Sequence, residues 1–106
     1  MKKTYTKTNA DTGHRRRPMK FCSDTIVITT HAADVLPSDE VRKALNRHFC
    51  GDWGELCKFD WQQNEDALLF GDRRFFSAYR TESGIKFWII TEWDRSVTTV
   101  LMPEDY

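Results

Sequence analysis

A chain of 106 residues, 40% hydrophobic and 30% charged, suffices for one domain around one modest core. No apolar run approaches the roughly 18 residues that a membrane helix needs. The N-terminal MKKTYTKTNADTGHRRRPMK starts basic but has no apolar stretch behind it, so no secretory signal is expected.

The net charge of zero conceals an asymmetry. Residues 1–20 hold seven basic side chains against the single acid Asp11, a charge of +6. Of the 16 basic and 16 acidic residues in the chain, that leaves 9 and 15 for residues 21–106, a charge of −6. A basic arm therefore precedes an acidic body, and the two suit different partners. Cys22, Cys50 and Cys57 are odd in number and cannot all pair within the chain. Without an export signal, reduced thiols in the cytoplasm are expected.

Residues 1–20 are polar and have Tyr5 as their one aromatic. They bury too little apolar surface to offset ordering, so a flexible basic arm is expected there. A single α+β domain is expected over 21–106. DTIVITTHA is rich in β-branched residues and predicts a first strand, with Ile26 and Ile28 on one face and Val27 and Thr29 on the other. LPSDEVRKALNRHFCG predicts a helix. Ser38 suits its N-cap, Asp39 and Glu40 its first turn, and Gly51 its stop. Val41, Ala44, Leu45, His48 and Phe49 share one face of it.

GDWG at 51–54 predicts a turn that either presents or buries Trp53. Asp60 and Gln63 fit a capping box for a second helix from about Trp61 to Phe70, stopped by Gly71, with a start near Leu56 as the alternative. Three strand-like runs follow. RRFFSAYR and IKFWIITEW are joined by Glu82–Gly84 as an antiparallel hairpin, and VTTVLM ends before Pro103. The expected order is β-α-α-β-β-β, a mainly antiparallel sheet packed on one or two helices. Phe49, Trp88, Ile90 and Leu101 are expected to be buried together.

His48, Cys50 and Cys57 lack the two paired sets that zinc sites show. They read as a helix-closing histidine and small core fillers, and no metal or cofactor is expected. Glu55, Asp60, Glu65 and Asp66 read as the solvated face of the second helix. The tip TEWDRS differs. Asp94 and Ser96 satisfy the turn by local bonding, but Trp93 and Arg95 exceed what a turn needs. An exposed tryptophan beside an arginine marks binding surfaces, so Glu92, Trp93, Asp94 and Arg95 form the candidate binding site, with Glu92 orienting the arginine. Arg15, Arg16 and Arg17 offer a second contact, to phosphates or an acidic partner.

Residues His48–Tyr106 carry GDWGELC, SAYR, WIITEWDRSVTTVL and PEDY. In these runs the chain resembles a family of small plasmid-related proteins of bacterial plasmids and integrative elements. The resemblance implies a mobile-element setting and no established activity, and it leaves residues 1–20 outside. The order of elements is also similar to that of RelE/ParE-type toxins, whose ribosome-dependent members cut messenger RNA. Those toxins are usually strongly basic, whereas the body here is acidic. The function expected is that of a non-catalytic binding or modulator protein carried by a bacterial mobile element (plasmid, integrative element or phage) and acting, for instance as an inhibitor, on a host or element protein, with a host-defence or nucleic-acid-binding role among the options. Nucleic acid is a second partner, reached through the arm. The alternative is a small RelE-like ribonuclease acting through Arg73, Arg74, Tyr79 and Arg95.

Overall fold

The computed structural model describes residues 18–106 and the backbone of residues 2–5. In chain order the elements are β1 (Lys2–Tyr5), β2 (Thr25–Thr29), α1 (Thr30–Val35), α2 (Ser38–Phe49), α3 (Lys58–Phe70), β3 (Phe75–Arg80), β4 (Lys86–Thr91) and β5 (Val97–Leu101), followed by a 3-10 turn at Pro103–Asp105. The fold is α+β, as expected. Its sheet has the order β1-β2-β5-β4-β3. The β2–β5 pair is parallel and the other three pairs are antiparallel. Among the described residues, no helix is long and apolar enough to cross a membrane.

Several expected boundaries move, each for a local reason. The run DTIVITTHA is not all strand: the Thr29 hydroxyl accepts from the Ala32 amide at 3.1 Å, which caps α1 and ends β2. Pro37, not Ser38, is the N-cap of α2. Its fixed φ suits the entry, and Ser38 becomes the first helical residue. No capping box forms at Asp60, because α3 begins earlier, after Cys57, and Asp60 sits in its first turn. Lys2–Tyr5, expected within the arm, pair with β2. The outer edge of β2 offers a row of amides and carbonyls that a strand can satisfy. Arg15, Arg16 and Arg17 lie outside the described residues.

Alternation along the strands sorts side chains onto two faces. The helix-covered face buries Ile28, Tyr79, Phe87, Ile89 and Val100 with Ala32, Leu36, Val41 and Ala44 of the helices. Beside this core, Trp53, Ala67 and Phe75 form a second cluster with Phe21, Leu56, Trp61 and Leu68 packed against it. The expected grouping of Phe49 with Trp88 is corrected. Phe49 lies on the helix side, in edge contact with Phe21 and His48. By register Trp88, Ile90 and Leu101 project from the other face, where Trp88 is only half-buried between Phe76 and Tyr106. Phe49, Ile90 and Leu101 are buried, but not together.

The outer edge of β3 is closed rather than left for pairing. Asn64 of α3 donates to the Phe76 carbonyl at 2.7 Å and accepts from the Phe76 amide at 3.0 Å. Two residues on, the Ala78 amide donates to the Trp53 carbonyl and the Glu55 amide to the Ala78 carbonyl. Gly54 sits between them at φ +79, and a Cβ there would lie 2.0 Å from the Ala78 carbonyl oxygen. Only glycine lets the two backbones approach this closely.

Candidate functional site

The connection between β4 and β5 is a tight turn. The Arg95 amide donates to the Glu92 carbonyl at 2.9 Å, and the Glu92 amide to the Val97 carbonyl at 2.9 Å. One Asp94 carboxylate oxygen accepts from the amide and the hydroxyl of Ser96, at 3.0 and 2.6 Å. Those two bonds hold the Asp94 pKa below the usual carboxylate range. Asp94 and Ser96 thus act as turn-makers, as their types suggest.

Arg95 takes φ +64, alone among the described non-glycine residues in having a positive φ. Such a conformation costs on the order of 1–3 kcal/mol and persists where surroundings enforce it. Here the backbone on both sides is tied down, since the Asp24 and Thr25 amides donate to the Arg95 and Ser96 carbonyls. The side chain is tied as well. Nη1 donates to the carbonyls of Arg73 (2.6 Å), Trp93 (2.8 Å) and Glu92 (3.3 Å), and Nη2 to that of Ala67 (3.3 Å). The guanidinium carbon lies 4.0 Å from the centre of the Phe75 ring. Burial lowers the Arg95 pKa from its ordinary value.

Arg95 is therefore a staple that joins the hairpin tip to the end of α3 and the start of β3. Carbonyl groups orient it; the expected orienting role belongs to the Glu92 backbone, not to its carboxylate. Removing a charged donor from several carbonyls costs more than an exposed ion pair does. Arg95→Ala is expected to lower stability by about 1.5–3 kcal/mol. Urea unfolding checks this, and an unchanged midpoint would show that the four carbonyls are served equally well by water.

The Trp93 side chain takes no part in these ties, and the residue is 63% exposed. The staple brings its backbone to the carbonyls of Ala67 and Arg73, which flank Leu69 and Phe70. Leu69 is 78% exposed and Phe70 68%. Sequence reading placed Leu69 and Phe70 within the second helix and assigned them no role. The available signal was two large apolar residues directly before the Gly71 stop, where α3 has no further layer to bury them. Gly71 at φ +69 ends α3 as the C-cap.

Of the residues of the ribonuclease alternative, Arg73, Arg74 and Arg95 are neighbours, but Tyr79 does not join them. Tyr79 is buried on the helix-covered face, where its hydroxyl donates to the Asp52 carbonyl at 2.7 Å and burial raises its pKa. Arg73 bonds Gln63 and faces Asp66 and Asp72, while Arg74 donates to the Tyr106 hydroxyl.

His48 is fully buried in a chain of hydroxyls. Nδ1 is 2.6 Å from Ser77 Oγ, and Nε2 is 2.9 Å from Thr91 Oγ1. Thr91 Oγ1 lies 2.7 Å from Thr98 Oγ1, which donates to Ser23 Oγ at 2.7 Å, and Ser23 donates to the Thr25 carbonyl. A carbonyl only accepts, so it sets the direction of the chain. Thr91 then donates to Thr98 and His48 Nε2–H to Thr91, which leaves Nδ1 to accept from Ser77. The ring is a neutral structural link, and desolvation pulls its pKa down to about 3. Cys50 is buried and Cys57 exposed. Among the described residues, no group of three or more His, Cys, Asp or Glu could hold a metal ion. Comparison with family models, curated proteins and solved structures gives no match for this chain.

Proposed function

We propose that the chain is a non-catalytic binding protein that captures a protein partner through the tip formed by Trp93, Leu69 and Phe70. The observation that carries this reading is the exposure of three large apolar side chains, each more than 60% open to water, on a backbone that the partly buried Arg95 guanidinium cross-ties. Apolar groups left outside a core and clustered at one end mark interaction sites. Rigid support lowers the entropy lost on binding. A mobile-element protein acting on a host or element protein in the cytoplasm would use such a tip, with Asp94 and Glu92 at its rim favouring a basic surround on the partner.

The test separates contact from fold. Trp93→Ala with Phe70→Ala is expected to abolish partner capture, a loss of at least about 2 kcal/mol for central aromatic anchors. Circular dichroism and melting temperature should stay near those of the parent, since neither side chain is in the core. Capture that survives the double substitution would remove the tip from the partner surface.

A further inference from the structure

The second face of the sheet carries a feature that the hairpin tip does not use. Phe76 of β3 meets Trp88 of β4 edge-on at 5.1 Å between ring centres, and Trp88 meets Tyr106 edge-on at 5.9 Å. By register, Phe76 and Trp88 project from the sheet face opposite the helix-covered core. Its outer member, Tyr106, is 73% exposed. Cations border it. Arg74 donates to the Tyr106 hydroxyl at 2.7 Å and lies 5.7 Å from its ring centre. Arg80 and Lys86 stand directly opposite each other across β3 and β4, in phase with Phe76 and Trp88 on this face. Like charges in such register repel, and Glu55, bonded to Arg80 at 3.1 Å, offsets one of them.

Two clefts run from the ladder and share Arg74 as a wall. One, of about 380 Å³, lies beside α3 and is lined by Phe59, Asp60, Gln63, Asn64, Arg73 and Phe76. The other, of about 270 Å³, is lined by Ile90, Glu92, Thr99, Leu101, Asp105 and Tyr106. The three acids in these linings are partly accounted for. Asp60 lies within reach of the Cys57 thiol, and Asp105 accepts from Thr29, His31 and the Met102 amide.

We infer that this face is a stacking surface for single-stranded nucleic acid. A base would stack on the exposed Tyr106 ring, its neighbours would pack against the partly open Trp88 and Phe76 rings, and phosphates would meet Arg74 and Lys86. A row of aromatics across adjacent strands suits unpaired bases of any sequence, because each presents a flat face. Spaced cations alongside suit a backbone charged at every nucleotide. A folded protein partner would need a broader continuous apolar area than this narrow ladder between charges. The ladder and its cations share no residue with Trp93, Leu69 and Phe70, so the inference stands or falls independently of the protein-binding reading, although Glu92 borders both.

The test uses the full chain and labelled oligomers of about a dozen nucleotides, DNA and RNA of one sequence, followed by fluorescence anisotropy. Tyr106→Ala is expected to weaken binding about tenfold without changing its salt dependence. Arg74→Lys and Lys86→Ala test the charged border, and Lys86→Ala should reduce the salt slope by about one contact. Tighter binding of RNA than DNA would assign a role to the 2′-hydroxyl, and equal binding would assign the contact to base and phosphate alone. In either case the Trp93→Ala, Phe70→Ala protein should bind as the parent does. The inference is overturned by any of three results: no binding, binding unaffected by Tyr106→Ala and Lys86→Ala but lost when Arg15, Arg16 and Arg17 become alanine, or equal binding of inorganic polyphosphate or polyglutamate.

Discussion

Trp53→Ala is expected to destabilise the domain by about 3–5 kcal/mol, the range for truncating a buried large aromatic. Trp53 is fully buried. Its ring stacks on Phe75 at 5.2 Å and on Phe21 at 6.1 Å, and meets His48 edge-on at 5.7 Å. Its Nε1–H donates to Glu65 Oε2 at 2.8 Å, which ties it to α3. Its own backbone pairs with β3 through Ala78. Alanine would remove the centre of the second cluster and leave the Glu65 carboxylate without its donor. For a domain near 100 residues, each kcal/mol moves the melting temperature by roughly 4–8 °C, so a fall of about 15 °C or more is expected by calorimetry. A fall of only a few degrees would show that Phe21 and Leu56 collapse into the space. Trp88→Ala should cost less than Trp53→Ala, because Trp88 is only half-buried.

This ranking reverses the one that the sequence suggests, and the reason is local. IKFWIITEW reads as an apolar run without clear alternation, so Trp88 passes for a core residue. Only the register of Trp88 with Ala78 and Leu101 assigns it to the face opposite the helix-side core. Trp53, between two glycines, reads equally as presented or buried. What decides it is that Gly54 lets the backbone press against β3, a contact between residues 24 apart in the chain. The helix α2 was legible from its periodicity, and the hairpin β3–β4 and strand β5 from β-rich runs set off by turn residues. The short α1 was hidden because Thr29 and Thr30 are β-branched and read as strand, although the first of them is the cap.

At the hairpin tip, the sequence separated the turn-makers from the rest but blurred the roles of Trp93 and Arg95. Trp93 is exposed, as its excess over turn needs implied. Arg95 looked like a partner contact, yet Nη1 and Nη2 also reach the carbonyls of Arg73 and Ala67 in two distant segments, which no local pattern announces. The polar core was legible in principle. Ser77, Thr91 and Thr98 fall in phase with Phe75, Ile89 and Val100 on their strands, so their hydroxyls point inward and need a partner. His48 falls in phase with Val41 and Ala44 on α2.

That buried chain sets the second large effect, on acid stability. Protonated His48 would have to be charged inside the core, and desolvation holds its folded pKa at about 3 against an ordinary value of 6.5. The unfolded chain takes up this proton as pH falls through about 6.5 while the folded protein does not. Stability is therefore full above that pH and declines below it, down to the folded pKa. The slope is about 1.4 kcal/mol per pH unit. Between pH 6.5 and 4.5 the domain should thus lose roughly 2–3 kcal/mol through this one residue.

Other groups act at different places on the pH scale. His31, bonded to Asp105 at 2.9 Å, has a raised pKa; its contribution is present below 6.5 and fades only as pH rises through its raised value. Asp94, Glu55 and Asp105 have lowered pKa values, held down by Ser96, Arg80 and Thr29 respectively. Their contributions are present above the ordinary carboxylate range and are lost as pH falls further, toward their lowered values. The window between about 6 and 5 consequently reports His48. Urea unfolding at half-unit steps of pH, with the His31→Gln protein as control, is expected to show the decline in both proteins. The His48 ring should also keep its neutral Nε2–H form by nitrogen NMR down to pH 4.5. A stability profile flat across that window, or a His48 resonance titrating near 6.5, would mean that water reaches the Ser77–His48–Thr91 chain and that the ring charges inside the fold.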